Sequence, residues 1–458
     1  MSETIDVNVP EVRYARSGEV AIAYQVIGES GTDVVFVRHM SGDLLSTWEQ
    51  PLLVRHIEGL AANGRVMLLD RRGTGLSDRV REVQSLETTM DDIRAVMDDA
   101  GSERAVLWTG LHSTGLGILF AATYPDRCAG LMLLDPQARG TASNEYPWAP
   151  TAEEWRVRLR TMRAGWGDRS YLETVARDWA PEMVDDDAFT DWLVWHMRRS
   201  LSPGAALTAY RTAMEVDVTD VLAAVRVPTL ILARPTAPER ARWMAKRISG
   251  ARLVELPWFE GIFTWLVDEV HDETMRATSE FIGSLARPAN HERVLATILF
   301  TDIVGSTEVA ARLGDAEWRD LLVRHHALVR RELARFNGVE LDTAGDGFFA
   351  TFDGPARAIS AAMAIRDAVA SIGIEIRAGL HTGECEVHDG KVTGIAVAIG
   401  ARIAALAERG EILVSSTVRD LVAGSGMRFD ERGDHELKGV PGTWTMFRVD
   451  QAAGERRR

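Results

Sequence analysis

Two carboxylates frame the chemistry open to this chain. Asp302 ends the apolar run Ile298-Leu299-Phe300-Thr301, and Val304-Gly305-Ser306-Thr307 follow as a turn into a helix. Asp346 sits in Ala344-Gly345-Asp346-Gly347, between two further strand-like runs. Acids at the ends of neighbouring strands suit divalent cations acting on a phosphate. Mg²⁺ takes oxygen ligands, accepts one or two carboxylates, and leaves the rest of its shell to phosphate and water. Each acid also has a plainer use: Asp302 could cap the next helix, and Asp346 could serve only its turn.

The elements around these acids can be read from periodicity. Val294 to Ile303 is a nearly continuous apolar strand. Glu317 to Phe336 has helical spacing and stops at Asn337-Gly338. Val339 to Asp342 and Phe348 to Phe352 form a hairpin, Pro355 to Ala370 a helix, and Ile374 to His381 a strand. An Ala-rich helix from Ile395 to Ala407, a strand from Ile412 to Ser415, a short helix from Thr417 to Val422 and two strands around Leu437 and Phe447 complete the half. This β-α-β-β-α-β order predicts a ferredoxin-like α+β antiparallel sheet with helices on one face.

The stretches LATILFTDIVGSTE, DTAGDGFFATFDGP, IRAGLHTGE, GIAVAIGARIAALAERGEILVS and HELKGVPG cover almost all of 294–450. This segment resembles the catalytic domain of class III adenylate/guanylate cyclases, of the bacterial type fused to α/β-hydrolase-like domains. The resemblance implies attack of a ribose 3′-hydroxyl on the α-phosphate of ATP, giving 3′,5′-cyclic AMP and pyrophosphate. It assigns two Mg²⁺ or Mn²⁺ ions to Asp302 and Asp346, with help from the Ile303 carbonyl. Arg402 matches the arginine that stabilises the pentavalent transition state, and Lys438 the phosphate-contacting lysine. Asp342 and Lys391 stand where the purine-reading pair belongs, with their charges exchanged, so ATP and GTP both remain open. Ala398 replaces the usual asparagine one helical turn before Arg402. Loss of such a donor costs roughly 10²–10³ in rate, so a slow enzyme is expected. The resemblance places metal carboxylates and arginine on different subunits, which implies a homodimer with two sites.

The first half alternates strands and helices. Val34 to Val37, Arg65 to Asp70, Ala105 to Trp108, Gly130 to Leu134, Thr229 to Ala233 and Arg252 to Glu255 read as strands. Helices are expected at Thr88–Ala100, Ile118–Tyr124 and Glu269–Leu285, and residues 142–225 are helical and Trp-rich. Such alternation predicts a parallel sheet with right-handed crossovers. LLDRRGTGLSDR, the turn after Trp108, FAATYPDR and LMLLDP make residues 12–286 resemble an α/β-hydrolase with a helical cap at about 140–225. Its nucleophile should lie on the strand-to-helix turn. Spacing from the strand before it and from Pro125 after it both give Leu111, not Ser113. No Asp follows Leu230–Arg234, and Gly261 occupies the expected histidine position. A serine without a base is a poor nucleophile, so this half is expected to be catalytically dead. Ser113 then reads as a small residue at a helix start. The cap tryptophans read as packing residues or as the wall of a small-ligand pocket.

Composition sets the outer bounds. The chain has 458 residues, 46% hydrophobic and 26% charged, ordinary for globular protein. The expected domains are 1–286, a linker at 287–293, and 294–450. A net charge of −15 argues against non-specific nucleic-acid binding. No run approaches the ~20 apolar residues that span a membrane, and MSETIDVNVPEV has no signal-peptide character. Cys128 and Cys385, the only cysteines, lie in apolar surroundings, which fits a reducing cytoplasm without a structural disulfide. The competing readings are a nucleotide-binding regulatory pseudo-cyclase and a carboxylic-ester hydrolase acting through Ser113.

Overall fold

Runs of buried β-branched and aliphatic residues broken by Gly- and Pro-containing turns build two sheets, one in each half of the chain. The computed structural model describes residues 9–38, 42–80, 85–285, 293–388 and 391–450, without the side chains of 387, 388 and 391. The chain divides into two compact units, Met1–Asn290 and His291–Arg458. Most of the expected linker falls outside the described residues.

The strands of the first unit are β1 (Arg13–Ser17), β2 (Val20–Ile27), β3 (Thr32–Phe36), β4 (Gly64–Leu69), β5 (Ala105–Gly110), β6 (Cys128–Leu134), β7 (Thr229–Ala233) and β8 (Arg252–Glu255). Their order is β1-β2-β4-β3-β5-β6-β7-β8. β3 to β8 join in parallel, and β1, β2 and β4 pair antiparallel. The β1–β2 hairpin was not among the sequence expectations. Arg-Tyr-Ala-Arg-Ser has little apolar content, and it becomes a strand through its pairing with β2.

Helices α1 (Leu44–Thr47), α2 (Pro51–Ala61), α3 (Leu86–Asp99) and α4 (Thr114–Thr123) come before the long insertion. Between β6 and β7 lie α5 (Ala152–Gly165), α6 (Arg169–Trp179), α7 (Asp187–Ser200) and α8 (Pro203–Glu215). Then come α9 (Pro238–Ala245) and α10 (Asp268–Gly283). Trp155 and Trp166 are buried, and their indole N–H groups donate to the carbonyls of Gly140 (2.7 Å) and Leu201 (3.1 Å). These two rings serve packing, as an aromatic with a partnered polar tip does.

The second unit runs β9 (Arg293–Ile303), α11 (Ser306–Leu313), α12 (Asp315–Arg335), β10 (Val339–Ala344), β11 (Gly347–Phe352), α13 (Pro355–Ala370), β12 (Ile376–His388), β13 (Lys391–Thr393), α14 (Ile395–Leu406), β14 (Ile412–Ser415), α15 (Ser416–Leu421), β15 (Phe429–Glu436) and β16 (Thr443–Val449). The sheet order is β10-β11-β9-β12-β14-β16-β15, with β13 paired to β12. Only β12 and β14 run parallel among its pairs.

Period-two alternation along β9 splits its side chains between two cores. Leu299 and Ile303 face α12 and α13, joining Val329, Leu333, Ile359 and Ile365. Ile298 faces the other way, against Ala396 of α14. The expectation of helices on one face is therefore corrected: α14 covers part of the opposite face. Glycine permits this. A Cβ on Gly379 of β12 would fall 2.1 Å from the Ala404 nitrogen. Both cysteines are free and buried, and burial pushes each thiol up to about 12.

Candidate functional site

On the β9 face away from α12 and α13, the site is built from strand register. Asp302 is the last residue but one of β9, and Arg377 of β12 stands directly across from it. The guanidinium grips one carboxylate oxygen, with Nη2 and Nε donating to Oδ2 at 2.6 and 3.2 Å. On the other side β11 sets Phe349 against Phe300, and the two rings stack at 4.7 Å. Asp342 of β10 pairs with Phe349 in turn. Asp302, Asp342, Gly347 and Arg377 line one cavity of about 290 Å³, walled on one side by Ala401, Ala404 and Ala405 of α14. The small α14 side chains keep this space open.

Asp302 does not cap the following helix. The cap residue of α11 is Gly305, in the left-handed region at φ 65, and no side chain caps that end. Asp346 occupies the two-residue loop that joins β10 to β11, where Ala344 pairs with Gly347. Its Oδ2 is buried and has no hydrogen-bond partner. Turn chemistry leaves that oxygen unused, and a buried unpaired carboxylate oxygen is costly. A ring N–H of His326 on α12 donates to the Gly345 carbonyl at 3.0 Å, which pins the loop. Phe348, the first large side chain after the loop, packs edge-on against both His325 and His326.

These residues fit a hard divalent cation. An orphaned Asp346 oxygen and a partly exposed Asp302 carboxylate supply oxygen donors of the right kind. The Ile303 side chain is buried in the α12/α13 core, so only its carbonyl is on offer. Among the described residues no cluster of three or more His, Cys, Asp or Glu is arranged to hold a metal. A cation here would complete its shell from phosphate and water, as Mg²⁺ does.

Arg402 and Lys438 are not on the wall of that cavity. Both are exposed, and Arg402 Nε donates to the Lys438 carbonyl at 3.2 Å. Ala398, one turn earlier on α14, is exposed on the same stripe. Ile395 (58% exposed) and Leu406 (41%) continue this stripe on either side. The site residues of one unit thus form two clusters, an acidic one with Arg377 and a basic one where Arg402 of α14 meets Lys438, between β15 and β16. Lys391 lies in β13 opposite His388, and its side chain is outside the described residues. Sequence reasoning missed Arg377 and His326. The strand register was the signal for Arg377, since it lies two residues before Gly379 on the same face of Ile376–His388.

Residues 289–451 match the family model of the adenylate and guanylate cyclase catalytic domain. The second unit matches that family's model over nearly its whole length. Over 172 residues the chain is 28% identical to a putative adenylate cyclase 3 of Rhizobium meliloti (strain 1021), covering 35% of this chain and 29% of that protein. It therefore spans less than a third of that relative's length. Beyond the cyclase domain, 279 residues are 26% identical to a putative carbamate hydrolase RutD of Azorhizobium caulinodans, covering 57% of this chain and 96% of that protein. The enol-lactonase of Burkholderia xenovorans LB400 superposes with a TM-score of 0.50 at 22% identity, covering 59% of this chain and all of that one. The first unit has the α/β-hydrolase fold, ahead of the cyclase domain in one chain.

The hydrolase-type site of the first unit is differently furnished. Leu111 follows β5 at φ 48, a backbone that disfavours a branched side chain. Ser113 is buried and its hydroxyl donates to the Arg38 carbonyl at 3.0 Å. It begins α4 without capping it. Position 261 is closed to histidine: a Cβ there would come 2.4 Å from Glu182 Oε2 and 2.7 Å from the Trp179 carbonyl. His271 sits on α10 against His56. Asp135 directly follows β6 and is held by Arg234 and Arg240. A buried serine–histidine contact does occur, Ser46 Oγ to His196 Nδ1 at 2.7 Å. His196, with its basicity pushed down to about 3 by burial, lines the cavity of about 100 Å³ at Leu111, whereas Ser46 does not.

Proposed function

We propose that the protein is a nucleotide cyclase converting ATP to 3′,5′-cyclic AMP and pyrophosphate. The observation that carries this reading is the orphaned Asp346 oxygen, in the turn before β11, the strand that pairs with the β9 of Asp302, within the segment that matches the cyclase family model. Asp302, Asp346 and the Ile303 carbonyl would hold Mg²⁺ or Mn²⁺, two per site. Such ions, when bound, neutralise phosphate charge and make the ribose hydroxyl a better nucleophile. Arg377 balances Asp302 and offers the triphosphate a further cation. Arg402 stabilises charge on the pentavalent phosphorus, and Lys438 contacts phosphate. Asp342 and Lys391 read the base, Asp342 by accepting from an exocyclic amino group and Lys391 by donating to a ring nitrogen. The same pair can take GTP, with Asp342 accepting from N1–H.

Two chains complete each site in this reading. The acidic cluster of one meets the basic α14 stripe of its partner, and Ile395 and Leu406 become covered. Turnover is slow because Ala398 offers no donor beside Arg402. The first unit acts as a regulator without hydrolase turnover. The protein works in the cytoplasm. Among the described residues no helix is long and apolar enough to cross a membrane.

The test is cyclic nucleotide formation by the full chain with Mn²⁺ and either ATP or GTP. Asp302→Ala and Arg402→Ala are each expected to be inactive alone. Mixed, they should regain activity, because half of the possible heterodimers' sites draw both clusters from intact residues. No product from either nucleotide by a dimeric wild-type protein would sink the enzyme reading. Nucleotide binding without product would instead establish a regulatory pseudo-cyclase, the reading that Ala398 favours.

A further inference from the structure

The first unit holds a second cavity, much larger than the one at Leu111. Its volume is about 720 Å³, and it lies between α8 and the loop after β4. The two cavities share no lining residue. Arg71, Arg72, Arg79, Arg198 and Arg199 line it, and among the described residues no Asp or Glu does. In a chain of net charge −15 this is a local reversal of sign.

Three of these charges are balanced behind the wall, Arg71 by its attraction to Asp92. Arg72 pairs with Asp92, and Arg199 pairs with Asp43 at 3.2 Å. Arg79 and Arg198 have no carboxylate partner among the described residues. Arg79 donates to the Gly73 and Gly75 carbonyls, and Arg198 to the Gly167 carbonyl. Each guanidinium presents five donors, so bonds to carbonyls leave donors and the charge itself available.

The facing wall is apolar and stepped back. α8 turns Ala205, Ala209 and Ala213 toward the cavity at i, i+4 spacing, with Val216 and Leu86 beyond. Larger side chains at these positions would fill the space. A cavity of this size takes a small organic molecule. Its cationic rim selects an anionic head, and the guanidinium fork binds carboxylate or phosphate in the same bidentate way.

We propose that this cavity binds an amphiphilic organic anion, a carboxylate or phosphate head on a short apolar body. The binding does not depend on whether the second unit is a cyclase.

The full chain would be titrated calorimetrically with octanoate, octyl phosphate, inorganic phosphate and octanol, with thermal melting in parallel. Saturable binding of octanoate or octyl phosphate near one per chain, at least tenfold tighter than octanol or inorganic phosphate, is expected. The double variant R79Q/R198Q should weaken it at least tenfold, and Ala209→Trp, which fills the cavity, should abolish it. Both variants should melt as cooperatively as the wild type without ligand. No saturable binding of either anionic amphiphile overturns the proposal. So does equal binding of octanol, or binding that survives both variants.

Discussion

Two strand ends invite comparison, that of β5 in the first unit and that of β9 in the second. Each is a buried apolar strand that delivers a turn and then a helix. After β5 the strained backbone falls on Leu111, whose φ of 48 costs about 1–2 kcal/mol for a residue with a Cβ. No ionisable or hydroxyl group stands at that point. After β9 the left-handed residue is Gly305, which bears the conformation without that penalty, and Asp302 keeps ordinary strand geometry. One turn sets a leucine at a strained backbone position, and the other presents a carboxylate without strain. Backbone strain and reactive side-chain types can therefore occur separately. A strained elbow alone is weak evidence of activity.

The largest effects should fall on the acids. Asp346→Asn removes the charge of the orphaned oxygen while keeping its shape. Cyclic nucleotide formation should drop to background, whereas Ser113→Ala should leave it unchanged. Neither the wild type nor Ser113→Ala should be labelled by a fluorophosphonate. Labelling of the wild type that Ser113→Ala abolishes would overturn the contrast between the two strand ends. A smaller change should come from Ala398→Asn, which restores a donor one turn before Arg402. It should raise the rate constant by up to roughly 10²–10³, the range for one transition-state hydrogen bond. An unchanged rate would show that another group already fills that role.

How far these two ends could be read from the sequence differs in an instructive way. The acids, the flanking strands and Leu111 at the elbow followed from apolar runs and spacing, because those signals are local. Gly261 also stood out, but its closure by Glu182 and Trp179 depends on a cap helix far away in sequence. Arg377 escaped notice because its role comes from lying across from Asp302 in a neighbouring strand. The placement of α14 opposite α12 and α13 was misjudged for a related reason. An Ala-rich helix has no marked apolar stripe, so its sequence does not say which face of the sheet it covers. The arginine-lined cavity joins a loop after β4 to a cap helix, and no periodicity links them.

Each end also carries a histidine, half-buried at β5 and buried at β9, and acid should separate them. His112 follows Leu111 and is pushed down to about 4, chiefly by burial and then by Arg240. His325 backs Phe348 under the carboxylate loop and is also pushed down to about 4 by burial. His325 is fully buried and neither ring nitrogen has a partner. Its folded value lies below the unfolded value of about 6.5, so the unfolded chain takes up the proton first. Stability is lost as pH falls through 6.5 toward 4. His325→Leu removes that liability. Its stability relative to wild type should rise by about 2 kcal/mol between pH 8 and pH 5, measured by urea unfolding. A pH-independent difference would mean that His325 takes up its proton over the same pH range in the folded and unfolded chains.

The smallest effect should come from the elbow itself. Leu111→Gly relieves the left-handed strain of about 1–2 kcal/mol. Against that it gives up partial burial of one aliphatic side chain and adds backbone entropy to the unfolded state. These terms oppose one another and are similar in size. The change in unfolding free energy should stay within about 1 kcal/mol. Leu107→Ala, three residues into β5 and fully buried, carries no compensating strain and should cost about 2–5 kcal/mol. If Leu111→Gly is as damaging as Leu107→Ala, the Leu111 side chain is a packing element of the first order. The elbow would then be a site rebuilt around leucine, with its strain supported by contacts in the cavity it lines.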